Sequence, residues 1–93
     1  MRIDKYLKVS RILKRRTTAK ELANGERVYI NGRQVKPASE VHVGDIVHVV
    51  FGIRHLEVRV LDIRDHIKKE EAGGMYEILK EYKEEVPEED SFA

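Results

Sequence analysis

Arg2, Lys5, Lys8, Arg11, Lys14, Arg15, Arg16 and Lys20 crowd the first twenty residues, and Arg33 and Lys36 follow within the next sixteen. Side chains of this type bind phosphate. Lys supplies a point charge, and Arg adds a planar fork of donors that can hold two phosphate oxygens at once. Residues 1–36 hold eleven Lys and Arg against Asp4, Glu21 and Glu26, whereas residues 37–93 hold seven against fourteen acids. The net charge of +1 therefore conceals a basic first third and an acidic remainder. A basic block on a small domain is the electrostatic footprint of a face that docks on nucleic acid, and the alternative is a merely solvated charged surface.

Four histidines, His42, His48, His55 and His66, offer a rival chemistry. His48 and His55 flank Gly52 and could face each other across two strands, as the acid and base of a small ribonuclease would. No dedicated nucleophile, carboxylate pair or phosphate loop accompanies them, so histidines on a surface strand explain the same residues and no catalytic residue is assigned. The chain has no cysteine, which removes disulfides and zinc sites built on Cys pairs, and the histidines have no carboxylates at a recognisable ligand spacing. Neither a metal nor a cofactor is expected.

With 93 residues, the chain is expected to form one core, leaving little room to enclose a substrate and a catalytic apparatus. The expectation is a binding module and not an enzyme. No window approaches the roughly 20 apolar residues of a membrane span, and the N-terminus lacks the apolar stretch of a signal peptide. A cytoplasmic protein without a membrane partner is expected.

The elements that must position the cations can be read from periodicity. Ile3, Tyr6, Leu7, Ser10 and Leu13 recur at helical spacing, which predicts a helix from Arg2 to about Leu13, with Lys5, Lys8 and Arg15 opposite the apolar stripe. Ala19, Leu22 and Ala23 mark the inward face of a second helix. Thr18 and Glu21 have the spacing of a capping box, a start at Arg16 is the alternative, and Asn24-Gly25 is the stop, with Gly suited to a left-handed terminus. The period then changes to two. Residues 27–30 and 33–35 flank the hairpin dipeptide Asn31-Gly32, and 46–51 and 56–63 read as further strands. Met75, Ile78, Leu79 and Tyr82 suggest a short C-terminal helix, and from Pro87 the acidic end reads as disordered. The predicted class is α+β, with two short N-terminal helices on a small antiparallel sheet and a short helix near the C-terminus. The predicted division is a binding domain over 1–65 and a charged tail over 66–93.

Arg2-Ile3-Asp4-Lys5-Tyr6-Leu7, Arg16 to Gly25, and Val28-Tyr29-Ile30-Asn31-Gly32 together resemble the S-four RNA-binding domain, or αL motif, over about residues 1–63. The opening Lys5 to Lys8, the run Arg33 to Pro37 and the tail segments 68–72 and 75–80 resemble the heat-shock protein fifteen group, in particular its Gram-positive branch that serves ribosome-associated quality control. One departure is Arg15, which stands where many such domains place a Ser or Thr cap, a loss of about 1 kcal/mol.

The resemblance implies binding to the large ribosomal subunit through its rRNA and to peptidyl-tRNA in the P site. There the chain would steady the tRNA while a tailing-factor protein extends the stalled nascent chain. It singles out Arg2 and Arg16 as anchors among the ten cations, and a monomer is expected. Asp4, four residues before Lys8, would orient a cation. The alternatives are an accessory of ribosome assembly, the small ribonuclease, and a protein-interaction role for the acidic tail.

Overall fold

Ile3, Tyr6 and Leu7, three of the apolar residues at helical spacing, are wholly buried on helix α1 (Ile3–Val9) in the computed structural model, which describes residues 1–85. The helix stops well short of Leu13. Arg11 takes a left-handed backbone (φ 63°), its N–H returns to the Lys8 carbonyl at 3.0 Å, and the Leu13 N–H returns to the Leu7 carbonyl at 2.9 Å. This turn packs Ile12 and Leu13 against the core without adding a helical turn. Arg15 consequently lies beyond α1 and does not project from it.

Helix α2 (Arg16–Asn24) starts at the earlier of the two expected positions. Arg15 precedes it in an extended conformation without a side-chain cap, and Thr18 and Glu21 lie within the helix, so the capping box does not form its start. Gly25 is not left-handed (φ −84°); Glu26 is (φ 64°). The Glu26 N–H donates to the Ala23 carbonyl and the Arg27 N–H to the Leu22 carbonyl, the paired closure of a Schellman motif. Glycine suits position 25 for another reason, since a Cβ there would sit 3.2 Å from the Glu21 carbonyl oxygen.

The strands are β1 (Val28–Ile30), β2 (Arg33–Gln34), β3 (Ile46–Phe51), β4 (Arg54–Val60) and β5 (Tyr76–Lys83), in the order β2-β1-β3-β4-β5 with every pair antiparallel. Asn31 and Gly32 both have positive φ, as the two-residue hairpin turn requires. The Asn31 side chain also donates to Asp45 and accepts from the Ile46 N–H, tying the hairpin to the start of β3. Val28, Ile30, Val47, Val49, Val58 and Val60 join Ile3, Tyr6, Leu7, Ala19 and Ala23 in one core. The two alanines admit close approach of the helices where larger side chains would not.

Strand β4 ends at Val60 and not at Ile63, because the N–H groups of Leu61 and Asp62 turn to the Met75 carbonyl. The C-terminal part does contain a short helix, a 3-10 helix over Lys69–Met75, but the apolar pattern that suggested one runs as β5. The β4–β5 register is irregular at Glu57/Val58. Lys80 pairs with Glu57 and Ile78 with Val58, leaving Leu79 as an extra residue. That insertion breaks the two-residue alternation, so Ile78, Leu79 and Tyr82 mimic a helical period. Strand formation also satisfies the backbone groups along the outer edge of β4. Residues beyond 65 thus share a sheet and a core with those before it. The expected disordered end from Pro87 lies outside the described residues.

Met75 links the two parts. It is buried, and its carbonyl accepts the Tyr6 hydroxyl at 2.8 Å across 69 residues of sequence. Burial pushes the Tyr6 phenol above its ordinary range, so it remains a donor. On the opposite face of the sheet, Tyr29, His48, His55 and Tyr82 form a row across β1, β3, β4 and β5, with ring centroids 5.4, 5.0 and 4.6 Å apart. His48 Nε2 lies 2.8 Å from His55 Nδ1, and His55 Nε2 lies 2.6 Å from Glu84 Oε1. An ionised carboxylate only accepts, so His55 Nε2 donates to Glu84, and in a neutral His55 the Nδ1 then accepts from His48 Nε2.

Tyr6→Phe leaves the Met75 carbonyl without its side-chain donor and is expected to cost about 1–3 kcal/mol in urea unfolding; an unchanged midpoint would show that the bond contributes nothing. Burial is the largest influence on His48 and lowers its pKa below the ordinary histidine value of 6.5; Glu57 opposes this shift and His55 reinforces it. The unfolded chain therefore takes up this proton at higher pH than the native chain. Stability from this group is complete above about pH 6.5 and falls as pH drops below it. Melting temperatures from pH 8 to 5 should decline below pH 6.5, less steeply in His48→Gln, and equal slopes would exclude His48 as the source.

Candidate nucleic-acid interface

Helix α1 begins under the segment 37–41, which anchors it through the backbone. The Ile3 N–H donates to the Ser39 carbonyl at 2.8 Å, the Asp4 N–H to the Pro37 carbonyl at 3.3 Å, and the Val41 N–H to the Met1 carbonyl at 2.9 Å. With its backbone fixed, Asp4 places a 1% exposed carboxylate between the two helices. Arg2 grips both carboxylate oxygens, Nε at 3.1 Å and a terminal nitrogen at 3.0 Å, and Arg16 reaches Oδ1 at 3.3 Å. The Lys5 N–H adds a fourth donor at 2.8 Å.

Burial raises the Asp4 pKa, but the hydrogen bonds from Arg2, Arg16 and the Lys5 amide outweigh it and leave the carboxyl below its ordinary value. Both guanidinium groups remain nearly half exposed. Each has five N–H donors and uses only one or two on Asp4, so the rest face outward in a fixed arrangement. Asp4 therefore orients cations as expected, but those cations are Arg2 and Arg16 and not Lys8.

A cleft of about 320 Å³ adjoins this clamp, lined by Lys5, Lys8, Arg11 and Arg16 and by Asp65, His66 and Ile67 from the chain after β4. Lys5 donates to Asp65 at 2.8 Å, and this bond holds the exposed Asp65 carboxyl below its ordinary value. Lys8 and Arg11 are exposed. Lys20 is exposed one turn beyond Arg16 on α2. Lys36 is exposed directly before Pro37, whose carbonyl caps α1, which puts it beside the clamp, whereas Arg33 sits exposed on the β2 hairpin. Lys14 and Arg15 line a different groove, shared with Phe51 and Arg54.

The ten predicted cations are thus not one patch. Arg2, Lys5, Lys8, Arg11, Arg16 and Lys36 gather around Asp4 and the cleft, Lys20 lies one turn beyond Arg16 on α2, Lys14 and Arg15 face elsewhere, and Arg33 stands apart. Sequence reading missed Asp65, because its partner Lys5 is 60 residues away and no local spacing marks the pair. It also passed over Phe51, which read only as a strand residue, and Arg54, which fell between the two expected strands.

The histidines do not form a free acid-base pair. His48 and His55 engage each other, His55 engages Glu84, and tyrosines stack at both ends of the row. His42 pairs with Glu40 and Asp45 on the surface.

Comparison with known proteins agrees with this geometry. The S4 domain family model matches residues 1–47, the stretch that contains α1, α2 and the first hairpin. The chain is 53% identical over 81 residues to the RQC P-site tRNA stabilizing factor of Streptococcus pneumoniae, covering 87% of this chain and 92% of that one. It is 54% identical over 83 residues to the factor of the same name from Bacillus subtilis, covering 89% and 96%. Among solved structures, the trimeric Heat Shock Protein 15 of Vibrio cholerae superposes with a TM-score of 0.77 at 28% identity, covering 84% of this chain and 80% of that one. With its basic helical corner, its hairpin and its similarity to these relatives over 87–89% of its length, the chain belongs to the S4 domain family, in the group of the RQC P-site tRNA stabilizing factors.

Proposed function

We propose that the chain is an RNA-binding factor of ribosome-associated quality control. It docks on the large ribosomal subunit and stabilises peptidyl-tRNA in the P site while a tailing-factor protein adds C-terminal residues to the stalled chain. The observation that carries this reading is the Arg2–Asp4–Arg16 clamp, which fixes two guanidinium forks at a set spacing on a rigid helical corner. Fixed forks suit a structured RNA backbone, because recognition of duplex shape needs correctly spaced phosphate contacts and not base readout. The names of the relatives at 53% and 54% identity support the same reading.

Lys8, Arg11, Lys20 and Lys36 add charge around the clamp, and Lys14, Arg15 and Arg33 extend the contact to flanking phosphates. Lys5 joins them when a phosphate replaces Asp65. The role is binding and not catalysis. It is carried out in the cytoplasm by one copy of the chain, since the clamp and the cleft are both complete within a single protomer. No helix among the described residues is long and apolar enough to cross a membrane.

Co-sedimentation with large subunits and filter binding to an rRNA hairpin should distinguish fixed geometry from bulk charge. Arg16→Ala is expected to weaken binding by about 1.5–3 kcal/mol, tenfold or more. Asp4→Asn should also weaken it, even though it makes the protein more positive, because both arginines lose their anchor. Asp65→Asn should strengthen binding a few-fold by freeing Lys5. If Asp4→Asn, shown by circular dichroism to be folded, bound more tightly, the clamp would be unnecessary. With about five phosphates neutralised, log affinity should fall against log salt with a slope near −4, and a flat dependence would refute the electrostatic mechanism.

A further inference from the structure

A second groove, of about 600 Å³, runs between the turn after α1 and the far end of the sheet. Its floor is apolar, formed by Leu13, Leu56 and Phe51, and its rim carries Lys14, Arg15 and Arg54 against the single carboxylate of Glu81. Phe51 is 52% exposed at the end of β3 and is held opposite Arg54 by the tight turn at Gly52 (φ 63°). Tyr29, His48, His55 and Tyr82 spend their rings on one another, but Phe51 stacks on no other ring among the described residues. Lys14, Arg15 and Arg54 make no ion pair among those residues, in contrast to Arg2, Lys5 and Arg16.

We propose that this groove is a second RNA site that takes one unpaired nucleotide, its base against Phe51 and its flanking phosphates on Arg15 and Arg54. A cationic groove with an exposed aromatic platform is how proteins hold single-stranded nucleic acid, since every base has a face to stack. The position supports this occupant. Arg15 and Arg16 are consecutive, so an RNA strand leaving the clamp at Arg16 meets the groove at the next residue. The proposal rests on the RNA-binding reading and adds to it a preference for duplex ends or bulges over uninterrupted duplex.

The full chain is titrated, by fluorescence anisotropy, with a blunt RNA hairpin and with the same hairpin carrying four unpaired uridines. The extension should tighten binding about tenfold, the magnitude of one stacked base. Phe51→Leu, which keeps the apolar volume, and Arg54→Ala should each erase that gain and leave the blunt hairpin unaffected. No gain in the wild type, or equal weakening of both probes by Phe51→Leu, would overturn the proposal. Arg16→Ala reads the clamp separately. If it changes neither probe while Phe51→Leu still erases the gain, the clamp reading fails and the groove stands. As a second measurement, a uridine octamer should shift the backbone amide resonances of Phe51, Arg54 and Leu56. If a Glu-rich peptide containing one Phe shifts them and the octamer does not, the groove docks protein and the nucleotide proposal is wrong.

Discussion

Asp4 carries a charge at 1% exposure, and such a charge persists only where cationic donors close over it. Arg2 comes from the start of α1, Arg16 from the start of α2, and the backbone at the start of α1 is fixed by residues 37–41. One carboxylate thus determines how two helices and a loop meet. It also resolves an electrostatic conflict, because two guanidinium groups at this distance would repel each other without an anion between them. The strain of crowding positive charge is met inside the protein, and the outward donors remain available.

This arrangement sorts cations that look alike in the sequence. Some are anchored, as Arg2 and Arg16 are; Lys5 is held by an exposed carboxylate that a phosphate could replace; and Lys14, Arg15 and Arg54 are unpaired among the described residues. Charge counting treats these as one block. The physical difference lies in the cost of recruiting each to RNA: an anchored guanidinium has already lost its side-chain freedom, whereas a free lysine loses it on binding.

The two helices, the Asn31-Gly32 hairpin and the valine strands were legible because each rests on local periodicity or turn chemistry. The end of α1 was not, since the left-handed backbone at Arg11 is enforced by burial of Ile12 and Leu13 and not by a glycine. Glu26, one residue past the expected terminus, is also left-handed without being a glycine, and there the backbone closure of the helix sets it. Strand β5 escaped because its bulge at Leu79 disguised alternation as helical spacing, and its partner β4 lies some twenty residues away. At the candidate site, the cations could be read directly from the sequence. Their grouping could not, because Asp4, Asp65 and Phe51 acquire their neighbours only through tertiary contacts.

The bond from Tyr6 to the Met75 carbonyl joins the second turn of the chain to its last quarter. Loop closure over that separation is slow compared with forming two short helices and a hairpin. During synthesis, therefore, the helical corner emerges first with part of its underside uncovered, and Val58 and Val60 wait for β5. The order of translation makes this protein a late closer. Its N-terminal half is built early, but the fold is sealed only once Met75 has left the ribosome that makes it.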